Sequence, residues 1–139
     1  MKRTMLLNSH LSNLVARLGH ADEFTLADAG LSVPEGVDRI DLAVSAGVPA
    51  FMEVLSALNS EIVIETAILA DELRAQSPEF HELLLTKLQD QERWQGKAIA
   101  IIYLPHEQFK QRSHRSRAVV RTGEATPFAN CILIAGVAF

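Results

Sequence analysis

Segments with the apolar spacing of helices alternate along this chain with short apolar runs of strand length, and this alternation limits the folds open to it. A helix pattern capped at Asn8 and Ser9 gives way to a strand pattern at residues 24–28, and similar changes of period recur up to the last strand pattern. The connections between these segments are short. We therefore expect an α/β fold, a single-domain helix/sheet/helix sandwich around a mixed, partly antiparallel sheet.

Glycine and proline residues predict where the helices begin and end. Gly19 fits the left-handed position after the first helix, and Gly96 fits the same position after the longest one. That longest helix begins at Ser77 and Pro78, a cap followed by a proline at the first helical position, and its predicted buried face includes Leu83. The same signals and spacings predict the other helices, at residues 47–59, 67–76 and from 105 onward.

Strand patterns complete the predicted sheet; they occupy residues 24–28, 39–43, 61–65, 98–104, 118–121 and 131–135. Residues 98–104 are almost wholly apolar, which predicts a central strand covered on both faces. The last two strands follow each other without a helix between them, so part of the sheet should be antiparallel. In open α/β sheets ligands bind beyond the carboxyl ends of strands, where Asp28 and His106 stand.

Length and composition exclude several classes of protein. At 139 residues the chain predicts one domain, residues 1–139. Its net charge of −4 disfavours a nucleic-acid binder. The single cysteine, Cys131, has no internal disulfide partner and suits a reducing compartment; its apolar neighbours predict an inert core thiol. No apolar run approaches the roughly 18 residues of a membrane span, so we expect a cytoplasmic protein.

Three residues at the predicted ends of elements could carry chemistry: His20, Asp28 and His106. Histidine is the side chain that titrates near neutral pH without help, so His20 is a candidate general acid–base. Each residue also has an ordinary structural interpretation. His20 could be a loop residue bonded to backbone, Asp28 a turn residue bonded to its own backbone, and His106 the start of a helix.

Two further features leave their interpretation open. Two histidines and one carboxylate also match the ligand set of a facial-triad iron site, so a metal enzyme is an alternative. The chain's one concentration of positive charge favours a solvated face or a subunit contact over an anion site; it consists of Lys110, Arg112, His114, Arg115, Arg117 and Arg121. Glycine-rich phosphate loops and serine-hydrolase elbows are lacking, so nucleotide cofactors and serine hydrolysis have no support.

Several short motifs are spread in order along nearly the whole chain. In the N-terminal part they are Leu7-Asn8-Ser9, Arg17-Leu18-Gly19-His20, Asp28-Ala29-Gly30-Leu31 and Pro34. Later they are Gly47-Val48-Pro49-Ala50-Phe51-Met52, His106-Glu107-Gln108-Phe109-Lys110-Gln111, Arg121-Thr122-Gly123-Glu124, Pro127-Phe128-Ala129-Asn130 and Ala135-Gly136-Val137-Ala138-Phe139. In this order the motifs resemble those of the ribose pyranase / fucose mutarotase family, and they look nearer to its ribose branch.

The resemblance implies a cofactor-free isomerase that interconverts the pyranose and furanose forms of ribose in the cytoplasm, in support of ribose utilisation. It implies a ring-like homo-oligomer, typically a decamer, with sites at protomer contacts. It also implies site residues. His20 matches the family's proton donor, and five residues match its sugar-binding positions: Asp28, His106, Phe128, Ala129 and Asn130.

One position departs from the family pattern, because Phe128 stands where the family usually has tyrosine. Phenylalanine can pack on the C–H face of a sugar but offers no phenolic hydrogen bond, so substrate preference is open at this position. The alternatives are a mutarotase for another monosaccharide such as L-fucose, and a non-catalytic sugar-binding or regulatory protein. The latter would bind ribose without changing the exchange rate between its ring forms.

Overall fold

The computed structural model describes residues 1–139 and contains five helices and six strands. The helices are α1 (Ser9–Arg17), α2 (Phe51–Asn59), α3 (Asp71–Gln76), α4 (Pro78–Gln95) and α5 (His106–Ser113). The strands are β1 (Glu23–Ala27), β2 (Asp38–Asp41), β3 (Ile64–Ala70), β4 (Ala100–Leu104), β5 (Ala118–Arg121) and β6 (Cys131–Ala135). The predicted α/β class is confirmed.

All six strands form one mixed sheet in the order β2-β5-β1-β6-β3-β4. Strand β6 runs antiparallel to both of its neighbours, while every other pair is parallel. Five strands therefore point one way and β6 points the other way. We call the end of the sheet where those five strands finish the carboxyl end, and the opposite one the amino end. The start of β6 lies at the carboxyl end.

Helices cover both faces of this sheet, but unequally. The larger apolar cluster lies under α1, α2 and α4 and contains Phe51, Leu55 and Leu84. The smaller one lies on the other face and contains Leu31 and, from α5, Phe109. Fully burying a leucine or phenylalanine contributes about 1.5–3 kcal/mol, so both clusters fix the helices firmly against the strands. The sandwich holds the loops at the two ends of the sheet in defined positions.

Capping residues set several helix ends where the sequence predicts them. The Asn8 side chain accepts a hydrogen bond of 3.0 Å from the Leu11 main-chain nitrogen and caps α1. Gly96 ends α4 in the left-handed conformation, at φ +70°. Gly19, however, has no positive φ; the left-handed residue in this turn is Ala21, at φ +66°. The predicted role of Gly19 is wrong because α1 ends in extended backbone at Leu18.

The prediction for residues 61–76 places the strand too early. Only residues 64 and 65 of the predicted strand lie in β3, which runs from Ile64 to Ala70, and the helix is confined to Asp71–Gln76. Alanine and leucine at residues 67–70 favour a helix in isolation. Here these four residues are buried between β6 and β4, so burial in the sheet overrides their helical preference.

Strand β4 is an edge strand, which contradicts the prediction of a central strand. It pairs with β3 alone, and Ile102 is 44% exposed. A continuous apolar run does not distinguish a strand buried by its own chain from one whose outer side is left open. In helix α4, Leu84 and Leu88 lie on the buried face. Leu83, which the sequence analysis places on that face, is exposed instead.

Candidate active site

The carboxyl end of the sheet brings together five of the six residues implied by the resemblance. Asp28 directly follows β1, and His106 follows β4 after one proline. Phe128, Ala129 and Asn130 form the end of the loop that leads into β6, and because β6 runs backwards this loop lies at the same end of the sheet. We call these five residues the carboxyl-end cluster.

The Asp28 carboxylate is tied into a network of short hydrogen bonds. Its Oδ1 accepts from the main-chain nitrogens of Gly30, at 2.9 Å, and Leu31, at 2.8 Å. Its Oδ2 accepts from Asn130 Nδ2 at 3.0 Å. A carboxylate offers about four acceptor positions, so roughly one remains for a ligand hydroxyl. Asp28 therefore holds its own turn and keeps one acceptor free.

Asn130 and Ala129 support this network from beneath. Asn130 is 1% exposed; its Oδ1 accepts from the Asp28 main-chain nitrogen at 2.8 Å while its Nδ2 donates to the Asp28 carboxylate. Its second amide hydrogen makes no hydrogen bond within the chain. Ala129 is completely buried, main chain and side chain alike, and its nitrogen donates to the Thr126 carbonyl at 3.3 Å. These two residues position Asp28 more than they present side chains to solvent.

His106 begins α5, and its imidazole is incompletely satisfied. The main-chain nitrogen of His106 donates to Glu72 Oε2 at 2.9 Å, which anchors the first turn of α5 to α3. The ring nitrogen Nδ1 is buried without a hydrogen-bond partner. The other nitrogen, Nε2, also makes no hydrogen bond within the chain. An imidazole with no hydrogen-bond partner at either nitrogen is suited to form a hydrogen bond with a hydroxyl group of a bound polyol.

Phe128 packs its ring edge-on against His106, with 5.0 Å between ring centroids and 83° between the ring planes. Its backbone has φ +61°, a left-handed conformation that costs a non-glycine residue roughly 1–2 kcal/mol. The preceding residue is held from outside, since Ser77 Oγ donates to the Pro127 carbonyl at 3.0 Å. The surrounding structure thus maintains a strained residue beside the cluster, as is common at ligand sites.

His20 lies at the amino end of the sheet, in the turn between α1 and β1. Hydrogen bonds fix this turn: Ala21 N donates to the Ala135 carbonyl at 2.9 Å, and Gly19 N donates to Asp22 Oδ2 at 2.8 Å. The Gly19 hydrogen bond and then the adjacent Arg117 guanidinium hold the pKa of the Asp22 carboxyl below its usual range. His20 itself remains about 60% exposed.

The structure therefore does not bring His20 to Asp28 within one chain. The two residues flank β1, whose five residues span about 16 Å of extended chain. Of the three residues predicted to converge, Asp28 and His106 share the carboxyl end of the sheet, where Asp28 contacts Asn130 and His106 contacts Phe128. Cavities of about 530, 390 and 460 Å³ are all lined by residues outside the carboxyl-end cluster, and His20 borders the second of them.

Two carboxylates at these sites escaped the sequence analysis. Glu65, on β3, places Oε2 3.0 Å from His20 Nε2. Glu72, on α3, anchors the His106 turn. Their partners are 45 and 34 residues away in the sequence, so no local pattern could reveal either contact.

The basic segment is largely neutralised by ion pairs. Lys110 contacts Glu107, Arg112 contacts Glu23, Arg117 contacts Asp22, and Arg121 contacts Asp41, at distances between 2.7 and 3.0 Å. This pairing fits the interpretation as a solvated face. Cys131 is fully buried, and burial raises the pKa of its thiol, which makes it unreactive.

Nowhere do three or more His, Cys, Asp or Glu side chains come close enough together to hold a metal ion. The facial triad considered from the sequence is thus not assembled within one chain. No helix has both the length and the apolar character to cross a membrane.

Comparison with known proteins gives matches over the full length. A profile of the RbsD / FucU transport protein family matches residues 1–138. Proteins named D-ribose pyranase are 54% identical in Aeromonas hydrophila and 55% identical in Vibrio cholerae, each over 139 residues and 100% of both chains. The solved structure of Bacillus subtilis RbsD complexed with D-ribose is 44% identical, with a TM-score of 0.90 and 100% of both chains covered.

Proposed function

This chain belongs to the RbsD / FucU transport protein family, and we propose that it is an isomerase that interconverts the pyranose and furanose forms of D-ribose. Relatives that share more than half of its residues carry the name D-ribose pyranase. The observation that carries the proposal is the carboxyl-end cluster, where the unpartnered His106 imidazole contacts the Phe128 ring, and Asp28, bonded to Asn130, keeps a spare acceptor position. Hydroxyl-binding polar groups beside an aromatic face suit a monosaccharide.

Ring interconversion requires proton transfers and no redox step. A proton reaches the pyranose ring oxygen as its bond to C1 breaks, and the anomeric hydroxyl loses a proton as the aldehyde forms. Attack of the C4 hydroxyl on that aldehyde releases one proton, and the carbonyl oxygen takes one up, which gives the furanose. Protons balance over the cycle. General acid–base assistance of this kind contributes about 10²–10⁴-fold.

The residue roles follow from chemistry and from the resemblance. His20, as imidazolium, donates the proton to the ring oxygen. His106 binds a sugar hydroxyl through Nε2, and Asp28 accepts from another through its spare position. Phe128 packs on the C–H face of the sugar, and Asn130 binds through its second amide hydrogen, with Ala129 between them in the loop.

Because His20 lies far from the carboxyl-end cluster of its own chain, the proposed site is shared between two copies of the chain. One copy of the chain supplies the carboxyl-end cluster, and a neighbouring copy supplies His20, in a homo-oligomer for which we propose a decamer. This arrangement is supported by the exposure of His20 and by the distance that β1 imposes. We propose that each copy is one domain over residues 1–139, acting in the cytoplasm without a cofactor.

Magnetisation-transfer NMR on equilibrated D-ribose tests the activity. The protein should accelerate pyranose–furanose exchange, and His20→Ala should lower the acceleration about 10²–10⁴-fold while ribose binding persists. Binding without acceleration would favour a non-catalytic sugar-binding protein. Acceleration with L-fucose in place of ribose would favour a mutarotase for another monosaccharide.

A further inference from the structure

We propose that Glu65 is a positioning residue for His20, holding one nitrogen of its imidazole so that the other is free to exchange a proton with the sugar. The inference rests on the proposed function, because it deepens the role of the same donor. The contact joins β3 to the turn before β1, and Glu65 lies outside the motifs that carry the family resemblance.

The contact itself is a direct carboxylate–imidazole hydrogen bond. Glu65 Oε2 lies 3.0 Å from His20 Nε2, and His20 Nδ1 makes no hydrogen bond within the chain. A carboxylate on one ring nitrogen selects the tautomer with hydrogen on that nitrogen. The arrangement resembles the base-and-orienting-carboxylate pairs of other acid–base enzymes.

A bulge in β3 aims Glu65 at His20. Ile64 pairs with Ala135 and Thr66 pairs with Ile134, so Glu65 is the extra residue between two consecutive pairs. Bulges often redirect a side chain beside an active site. A regular strand would not leave Glu65 unpaired at this position.

Gly136 provides the space that the Glu65 side chain occupies. A Cβ atom on Gly136 would lie 2.6 Å from Glu65 Cγ, closer than real Cβ atoms approach a neighbour, and 3.0 Å from its Oε1, which is tighter than most real contacts. The Gly136 nitrogen also donates a hydrogen bond of 2.8 Å to the Val63 carbonyl, which holds these two segments of the chain close together. The Glu65 side chain therefore packs against the Gly136 backbone on one side, while 39% of it stays exposed.

Three other charged groups around the His20 turn have partners of their own. Asp22 is paired with Arg117 and accepts from Gly19. Glu61, which lines the same cavity as His20, is bonded to Thr4 at 2.7 Å and to Lys2 at 3.3 Å. Lys97 is bonded to main-chain oxygens of Val137 and Phe139. Glu65 is the carboxylate committed to His20.

The proposed consequence for the reaction is specific to one nitrogen. The imidazolium carries hydrogen on both nitrogens, with Nε2–H donated to Glu65 and Nδ1–H directed to the sugar ring oxygen. Transfer of the Nδ1 proton leaves a neutral imidazole that keeps its hydrogen on Nε2. Glu65 remains a carboxylate throughout, so it orients the donor without taking part in the proton transfer.

The substitution Glu65→Gln tests this role, with Glu61→Gln as the matched control from the same cavity. Ribose exchange rates at several ribose concentrations should give a kcat lower by about 10–100-fold for Glu65→Gln, with KM unchanged. Glu61→Gln should leave both values at those of the starting protein. Surface ion pairs contribute little to stability, so both variants should fold.

A spectroscopic measurement separates positioning from a merely structural effect. In ¹⁵N-resolved NMR of the imidazole, His20 should populate the Nε2–H tautomer in the starting protein and lose that preference in Glu65→Gln. Glu65→Asp, which keeps the charge but withdraws it by one methylene, should give intermediate values of both kcat and tautomer population. Together these three results would support the proposal.

The contrary results are equally distinct. An unchanged kcat in Glu65→Gln, with His20→Ala inactive, would overturn the role of Glu65 and leave the proposed function intact. A lower kcat with an unchanged His20 tautomer would overturn positioning as the cause. Full activity of His20→Ala would overturn the donor assignment, and the role of Glu65 with it.

Discussion

The two ends of the sheet differ in how their functional groups are held. At the carboxyl end, Asp28 and Asn130 hold each other by paired hydrogen bonds, and Asn130 is almost fully buried. At the amino end, His20 stands about 60% exposed on a turn, with Glu65 as its contact. Buried side chains that hydrogen-bond each other suit a fixed binding surface. An exposed histidine, by contrast, is shielded from water only when another molecule, such as a neighbouring copy of the chain, covers it. Under the proposed function, binding and proton donation are therefore divided between the two ends of the sheet.

Breaking the hydrogen-bond network of Asp28 at the carboxyl end should have the largest effect on ribose binding and on stability. In Asp28→Asn, the side-chain amide can take two orientations, and each loses hydrogen bonds. In one, its NH2 group faces the Asn130 Nδ2 donor; in the other, the main-chain nitrogens of Gly30 and Leu31 lose their acceptor. We expect KM for ribose to rise at least tenfold and the free energy of unfolding to fall by about 1–3 kcal/mol. Exchange NMR and denaturant unfolding measure the two effects.

Asp41→Asn is the control for that prediction. Asp41 also accepts from a main-chain nitrogen two residues ahead, that of Ala43, and also contacts a second side chain, Arg121. It lies outside the carboxyl-end cluster and on the surface, so its substitution should leave KM unchanged. Equal losses in both variants would mean that Asp28 acts as a turn residue alone.

Phe128→Tyr should have a smaller effect on the same surface. The substitution restores the residue usual in the family and adds one hydroxyl beside His106, whose ring lies 5.0 Å away. One additional hydrogen bond to the sugar contributes about 0.5–1.5 kcal/mol, so KM for ribose should fall by a factor of about 2–10. Titration of ribose in exchange NMR measures this change, and a higher KM would show that the site is adapted to the phenylalanine.

The smallest expected effect concerns the His20 turn and is dependent on pH. The folded-state pKa of Asp22 is lowered, so the carboxylate stabilises the fold fully above its unfolded pKa of about 3.9 and loses this contribution as pH falls through the lower folded value. Asp22→Asn should therefore be less stable than the starting protein at pH 6, and the difference should vanish in acid. A difference independent of pH between 6 and 2 would contradict this cause.

Local signals in the sequence predict much of the fold. Asn8, Pro78 and Gly96 mark helix ends through bonding and backbone preferences that act within a few residues. The bounds of β3 and the edge position of β4 were missed because they depend on which strands lie alongside, and that is a property of the whole sheet.

The candidate site divides in the same way. His20, Asp28 and His106 are visible in the sequence through their chemistry and their position at element ends. Glu65 and Glu72 are not, because their partners are distant in sequence and meet them only through the pairing of strands and the packing of α3. The separation of His20 from Asp28 also could not be predicted without the sheet, since the seven residues between them would have allowed contact as a loop but do not as a strand.

The central claim is that one site takes its binding surface from one copy and its acid from another, and a mixing experiment tests it most directly. His20→Ala and Asp28→Asn are each prepared, unfolded together, refolded as mixed oligomers and assayed for ribose exchange by NMR. We predict that the mixture regains activity, because some sites then combine an intact His20 with an intact carboxyl-end cluster. A mixture whose exchange rate at ribose concentrations below KM stays at the average of its two components, although mixed oligomers form, would contradict the claim.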